Sequence, residues 1–331
     1  MVRLRYLRNE AVKILSDKKK LIVLIGPTAV GKTELSIRLA KEFNGEIISG
    51  DSMQIYKGMD IGTAKITEEE MNGISHHLID IKEPDEPFSV AEFQDIVRKT
   101  IDEIHERNRV PMIVGGTGLY IQSVIYDYQF SEAPSNESIR QKYEKLALTK
   151  GNLYVYQMLK EIDPESASNI HPNNIRRVIR ALEIFDCTGK TTTEYHKQQV
   201  PNLLYDVALI GLTMEREQLY NRINRRVDMM IDQGLIEEVK NLYDHHIRNV
   251  QSIQAIGYKE LYEYFDGKVS LEEAIETLKQ NSRRYAKRQL TWFRNKLNVT
   301  WFDMTNEMDR HKKNIEISKF VAGKLQLKSN Y

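Results

Sequence analysis

Apolar runs alternate with helically spaced apolar positions through the first 120 residues or so of the chain. LIVLIG (21–26) is a continuous apolar run of strand length, which predicts a buried strand. ELSIRLAKEFN (34–44) places apolar residues at 35, 37, 39, 40 and 43, a helical pattern closed by Gly45. EIIS (46–49) predicts a second short strand. Residues 88–105 predict a helix with a strong start. Ser89 and Glu92 have capping-box spacing, and Phe88 and Phe93 have the spacing of a hydrophobic staple. Val90, Phe93, Val97, Ile101 and Ile104 mark its buried face. VPMIVGG (110–116) predicts a third strand, with Pro111 tolerable only near its start. Strand, helix, strand, helix, strand implies a parallel sheet with right-handed crossovers.

The pattern changes over residues 130–200. SEAPSNES is a polar linker. Helical stretches rich in Arg, Lys and Glu follow, broken at Asp163-Pro164 and His171-Pro172. LLYDVALIGLTM (203–214) is strand-like again. The simplest organisation is an α/β core built from 1–128 and 203–331, carrying a helical insertion domain over 129–202. From 215 onward the spacing is helical, ending with WFDM (301–304) and a charged tail.

With 331 residues the chain exceeds most single cores, which suits a core with an insertion. The longest apolar run is LIVLI, too short for a membrane helix. Cys187 is the only cysteine, which excludes an internal disulfide and a cysteine-based zinc site and suits a cytoplasmic protein. The first twenty residues, MVRLRYLRNEAVKILSDKKK, are basic and amphipathic. They carry Glu10 and Asp17 and no long apolar stretch, so a short helix docked on the core fits them better than a targeting peptide. The net charge is +1, but it is unevenly spread. No acidic residue lies between Glu276 and Asp303, whereas Lys279, Arg283, Arg284, Lys287, Arg288, Arg294 and Lys296 do. A basic face on a neutral protein points to a specific anionic partner.

GPTAVGKT (26–33) matches G-x-x-x-x-G-K-[ST] and lies between a predicted strand and a predicted helix, the setting that gives the motif meaning. Gly26 and Gly31 let backbone N–H groups close on phosphate oxygens, and the helix start adds positive potential. Lys32 reaches an outer phosphate, and Thr33 offers its hydroxyl to Mg²⁺. Residues Gly26, Thr28, Ala29, Gly31, Lys32 and Thr33 are the expected diphosphate seat. Nucleotide hydrolases of this class carry an apolar strand ending in Asp. Here the third strand runs into Gly115-Gly116-Thr117-Gly118 instead, and Asp80 in HLIDI (77–81) reads as structural. Asp51 follows the second strand, so it shares the carboxyl edge of the sheet with the phosphate loop and the GGTGLY turn (115–120). A carboxylate beside a phosphate seat can hold metal or accept a proton from a nucleophile. The adjacent His76 and His77 diverge in either regular conformation and read as structural.

GPTAVGKT, SGDSMQIYKGMDIGTAK (49–65), VGGTGLY, HPNNIRRVIRALEI (171–184), RINRRVDMMIDQGLIEEV (222–239), IGYKEL (256–261) and KRQLTWFR (287–294) occur in this order. Together they resemble the bacterial-type tRNA dimethylallyltransferases (tRNA isopentenyltransferases), over roughly residues 20–300. The resemblance implies a P-loop NTPase-like parallel sheet with flanking helices. It implies transfer of a dimethylallyl group from dimethylallyl diphosphate to N6 of the adenosine at tRNA position 37, giving isopentenyladenosine and diphosphate with Mg²⁺ as cofactor. In that reading Asp51 takes the proton of the N6 amine. Thr117 lies near the diphosphate and the transfer site, and Arg226 stabilises the diphosphate from the opposite side. Arg222 and Arg225 are neighbours that sequence separates poorly from Arg226. Ser52, Met53 and Gln54 would meet the target adenosine, Gln54 through its two-sided amide.

Arg176, Arg177 and Arg180 share one helical stretch, and Lys287, Arg288, Gln289, Thr291 and Arg294 another. Charged helices are usually solvated surfaces with internal ion pairs, but the second stretch has no acid within it to pair. Both stretches are therefore the expected grip on a tRNA anticodon stem-loop, with the target base extruded into the cleft. The protein is expected to act as a monomer without a membrane. The alternative from another enzyme class is a P-loop small-molecule or nucleotide kinase, which explains the phosphate loop but neither basic region.

Overall fold

The central feature is a sheet of six strands, all parallel, in the order β3-β2-β4-β1-β5-β6. The structure is a computed structural model and describes residues 18–128, 136–197 and 202–329. The chain divides into two compact units, Met1–Tyr126 with Leu203–Tyr331, and Asp127–Asn202.

The first part of the larger unit runs β1 (Lys20–Ile25), α1 (Lys32–Glu42), β2 (Gly45–Ser49), α2 (Glu68–Met71), β3 (His76–His77), α3 (Val90–Glu106), β4 (Val110–Gly115) and α4 (Gly118–Ile125). β1 reads as an apolar run because it lies centrally, between β4 and β5, with Leu21 to Ile25 fully buried. Pro111 stands second in β4, near the strand start. α3 begins where its signals place it: Ser89 Oγ accepts from the Glu92 backbone N–H at 3.1 Å, and Phe88 meets Phe93 edge-on with ring centroids 6.5 Å apart. Only that half of the expected capping box forms, because the Glu92 carboxylate is drawn to Lys82, 2.9 Å away.

The smaller unit consists of α5 (Glu137–Lys150), α6 (Asn152–Ile162), α7 (Pro164–Ser168), α8 (Ile175–Thr188) and α9 (Thr192–Lys197). Its own core holds Tyr143, Val155, Leu159, Val178 and Leu182. Asp163 caps α7, with Pro164 in the first turn, so the predicted break is a helix start.

The chain re-enters the larger unit through β5 (Asp206–Thr213) and continues with α10 (Arg216–Asp232), α11 (Leu235–Asp244), α12 (Tyr258–Phe265), α13 (Leu271–Lys296), β6 (Thr300–Asp303) and α14 (Arg310–Leu325). WFDM is thus not the end of a helical run: residues 300–303 form the edge strand β6, paired with β5. The charged tail contains α14, which buries Ile317, Val321 and Leu325 against the sheet side formed by β1 and β5. Full burial of such side chains contributes about 1.5–3 kcal/mol each. The architecture is a P-loop-like α/β fold. The expected N-terminal helix and most of the SEAPSNES linker lie outside the described residues. Among the described residues no helix is long and apolar enough to cross a membrane.

Candidate functional site

In a parallel sheet every strand delivers its carboxyl end to the same edge. β1 runs into the phosphate loop, β2 into Asp51 and β4 into Gly116 and Thr117. Ile25 pairs with Gly115 and Ser49 with Val114, so the three strand ends are level. They open on a cavity of about 920 Å³ within the larger unit. Thr28, Ala29, Gly31, Lys32, Thr33, Asp51, Ser52, Met53, Gln54, Gly116 and Arg226 line it.

The loop folds as its residues require. Gly31 (φ 103°) and Ala29 (φ 64°) both adopt left-handed conformations, and no side chain caps the start of α1. The first N–H groups of α1 therefore remain available to an anion. Lys32 Nζ donates to the carbonyls of Gly26 (3.0 Å) and Pro27 (2.7 Å). Burial, and then the positive charge of Arg226, push its pKa down to about 7, against the pull of Asp51. Thr33 is exposed at the mouth of the loop.

The Asp51 carboxylate accepts from the Met53 backbone N–H at 2.8 Å. Burial pushes its pKa up, and that N–H, Lys32 and Arg226 work against the rise. Asp51 is thus a partly buried carboxylate close to two cations in the cleft. Thr117 Oγ1 accepts from the Ser52 N–H at 3.3 Å, which ties the β4 turn to the β2 turn. Arg226 lines the cavity, and burial lowers its pKa, with Asp51 as the largest opposing influence. The three arginines of α10 now separate. Arg225 is exposed and is not among the cavity residues. Arg222 lines the cavity but has Glu307 as an ion partner 3.5 Å away.

Gln54 faces inward. Its Oε1 accepts from Ser49 Oγ at 2.9 Å, and its Nε2 donates to the carbonyls of Thr63 (3.2 Å) and Ala64 (3.3 Å). Its amide braces the loop after Asp51. Gln289 is buried as well: its Oε1 accepts from the Thr28 N–H at 3.1 Å and its Nε2 donates to the Gly116 carbonyl at 3.1 Å. It therefore clamps the phosphate loop to the β4 turn. A methyl group on Gly116 would stand 2.0 Å from that Nε2, so the contact needs glycine. Gly116→Ala is expected to destabilise the protein by about 1–3 kcal/mol through this clash. Urea unfolding checks this, and an unchanged midpoint would mean that Gln289 yields freely.

The rest of α13 divides by face. Lys287, Arg288, Thr291 and Arg294 are exposed, and no acid pairs with Lys287, Arg288 or Arg294 among the described residues. Two cations of the acid-free run find partners outside it. Lys279 pairs with Asp228 of α10 at 2.5 Å, and Arg283 reaches Asn224 Oδ1 (2.7 Å) and Glu276 (3.2 Å). Trp292 is partly buried, edge-on to Phe293 and over Gly118. In the smaller unit Arg176 and Arg177 are exposed. Arg180 instead pairs with the fully buried Glu183 at 2.7 Å, which also binds Arg140 at 2.9 Å. His77 hydrogen-bonds Glu46, His76 the Ile74 carbonyl, and Asp80 pairs with Lys65.

Among the cavity residues that no motif announced, Tyr285 and Arg310 carry polar chemistry. Tyr285 stands beside Thr117 and Gln289, and burial pushes its pKa up to about 12, so it stays neutral. Arg310 reaches the cavity from α14. The i, i+4 spacing of Tyr285 and Gln289 on one helix is the only signal that could have found the first.

A family model described as IPP transferase matches residues 54–296, which include Gln54, Gly116, Arg226 and Gln289; the phosphate loop and Asp51 precede that stretch. The chain belongs to the IPP transferase family. A protein named tRNA dimethylallyltransferase from Anoxybacillus flavithermus is 65% identical over 312 residues, covering 94% of this chain and 99% of the relative. One of that name from Bacillus anthracis is 64% identical, covering 95% and 99%. A full-length tRNA isopentenylpyrophosphate transferase from Bacillus halodurans superposes with a TM-score of 0.72 at 59% identity, covering 93% of this chain and 97% of that one. A eukaryotic dimethylallyltransferase solved acting on tRNA superposes with a TM-score of 0.80 at 33% identity, covering 94% and 81%. Family membership therefore extends from the fold to a close match in sequence.

Proposed function

We propose that this protein transfers a dimethylallyl group from dimethylallyl diphosphate to N6 of the adenosine at tRNA position 37, releasing diphosphate. One observation carries the reading: a phosphate loop and a partly buried carboxylate, Asp51, line one cleft. A phosphate loop alone serves many reactions. A carboxylate close to its lysine suits a reaction in which a nucleophile loses a proton as a diphosphate departs.

Each residue then has a task. The loop N–H groups, Lys32 and Arg226 neutralise charge as the allylic C–O bond breaks and the diphosphate leaves. Asp51 accepts a hydrogen bond from the N6 amine and takes its proton as the new C–N bond forms. Thr117, tied to Ser52, fixes the turn between the two reacting groups. The amine is a weak nucleophile, so alignment supplies much of the acceleration. Mg²⁺ fits beside the diphosphate, where Thr33 offers an exposed hydroxyl. The ion would add charge neutralisation on the leaving group. A cytoplasmic monomer binding the tRNA anticodon stem-loop completes the reading.

Lys287, Arg288, Thr291 and Arg294 on α13, and Arg176 and Arg177 on α8, are the exposed groups for the RNA backbone. Arg180 belongs to the Glu183 ion pair. Arg176→Ala and Arg177→Ala are each expected to weaken tRNA binding and lower its salt slope by about 1. Arg180→Ala is expected instead to cost about 1–3 kcal/mol of stability, by weakening the satisfaction of a buried carboxylate. Salt titrations and thermal melts separate the two effects. A large change of slope for Arg180→Ala with no change in stability would reverse the assignment.

The test of the function uses purified protein, Mg²⁺ and unmodified tRNA, with dimethylallyl diphosphate or ATP. The tRNA is then digested and its nucleosides weighed. Isopentenyladenosine with dimethylallyl diphosphate alone is the expected result. Phosphate lost from ATP with no modified nucleoside in either sample would point to a P-loop kinase or ATPase.

A further inference from the structure

Arg310 is the first residue of α14 and lies beyond the stretch matched by the family model. Its position is set by packing. Ile317, Val321 and Leu325 are fully buried, and Phe320 meets Phe302 with ring centroids 5.8 Å apart. That anchorage carries the Arg310 guanidinium over the phosphate loop. Its Nη2 lies 2.9 Å from the point that a Cβ on Gly31 would occupy, so the cation rests on bare loop backbone. It lines the same cavity as Thr28, Lys32 and Thr33. Its ion partner is Glu34, 3.2 Å away and well exposed, in the first turn of α1.

We propose that Arg310 is a further diphosphate ligand, brought to the phosphate loop by α14 and held beside it by Glu34. The chemistry favours an exchange of partners. An exposed Arg–Glu pair gains little over water. A guanidinium facing phosphate oxygens forms charge-assisted, bidentate bonds in a site that the loop already organises. Arg226 interacts with Asp51, whereas Arg310 lies against Gly31 of the loop, and both line the same cavity. A diphosphate seated on the loop can therefore meet both arginines. Glu34 competes for Arg310 in the free protein, so it sets the affinity as well as the position. The proposal rests on the prenyl-transfer reading only in taking a diphosphate as the ligand.

Calorimetric titration of the full chain with inorganic diphosphate and Mg²⁺ tests it. Arg310→Gln is expected to weaken binding by about tenfold or more, the size of a lost charged hydrogen bond. Glu34→Gln is expected to tighten binding in the wild-type background and to lose most of that effect in the Arg310→Gln background. Arg310→Lys keeps the charge without the fork, and an intermediate affinity with an unchanged melting temperature is expected. If Arg310→Gln folds poorly, the lysine variant alone decides the matter. Affinity within about twofold of wild type in either Arg310 variant overturns the proposal. So does a Glu34→Gln effect of equal size with and without Arg310, because Glu34 would then act only by repelling the anion. Wild-type protein that binds diphosphate yet makes no isopentenyladenosine would retire the transfer reading and leave the Arg310 result standing.

Discussion

Asp51→Asn is expected to slow prenyl transfer by about 10²–10⁴-fold, the usual contribution of a positioned general base. The amide keeps the shape of the carboxylate and its acceptor contact with the Met53 N–H, but it cannot take a proton at neutral pH. Diphosphate affinity should not fall, because a negative charge has been removed from beside the phosphate seat. tRNA binding should be spared, because the exposed cations of α8 and α13 are untouched. The pH profile gives a second check. Burial raises the Asp51 pKa. The base form is therefore lost as pH falls through a value above the ordinary carboxylate range. The acidic limb of kcat/KM is expected at that displaced value in the wild type and is expected to vanish in the variant. A limb that persists unchanged would assign it to another group. Single-turnover rates over a pH series measure both.

Lys32→Met is expected to lower the transfer rate by about 10²–10³-fold, as loss of a preorganised group at a developing charge does. Here the pH dependence has the opposite sense. In the free protein, burial and Arg226 hold the Lys32 pKa down at about 7. A bound diphosphate favours the ammonium and raises that value. The resulting affinity is fully present below about pH 7 and falls as pH rises, by up to about tenfold per pH unit, until the bound-state pKa is reached. Diphosphate titrations at about pH 6.5 and about pH 8.5 should show this loss in the wild type over and above the ligand's own titration, which Lys32→Met reports by itself. An identical pH response in the two proteins would mean that Lys32 is charged throughout.

The parts of the fold legible in the sequence share a physical cause. β1 and β4 lie centrally, so their apolar runs are unbroken, and α3 announces itself through Ser89 and Phe88. The edge strands are another matter. β3 is two histidines, and β6 buries only Phe302 well. α14 hides three buried apolar residues at i, i+4 and i+8 among lysines, and read as a charged tail. On α13, Gln289 follows Leu278 and Ala286 and precedes Phe293 on the buried face. Helical spacing could have placed it inside, but its basic neighbours suggested a surface role. Spacing does not separate the α10 arginines, since 225 and 226 each lie about one turn from 222; the packing of α10 turns 222 and 226 to the cavity and leaves 225 exposed. The pairing of Lys279 and Arg283 with α10 was beyond local pattern, because Asn224 lies 59 residues from Arg283 in sequence and Asp228 is similarly far from Lys279.

The most direct test of the central claim is a single-turnover reaction of the wild type with an anticodon stem-loop carrying adenosine at position 37. Isopentenyladenosine and released diphosphate would be counted from the same sample. The account predicts that the two appear together in equal amounts, with Asp51→Asn producing neither at a comparable rate. Orthophosphate in place of diphosphate, or diphosphate released without a modified adenosine, would contradict it.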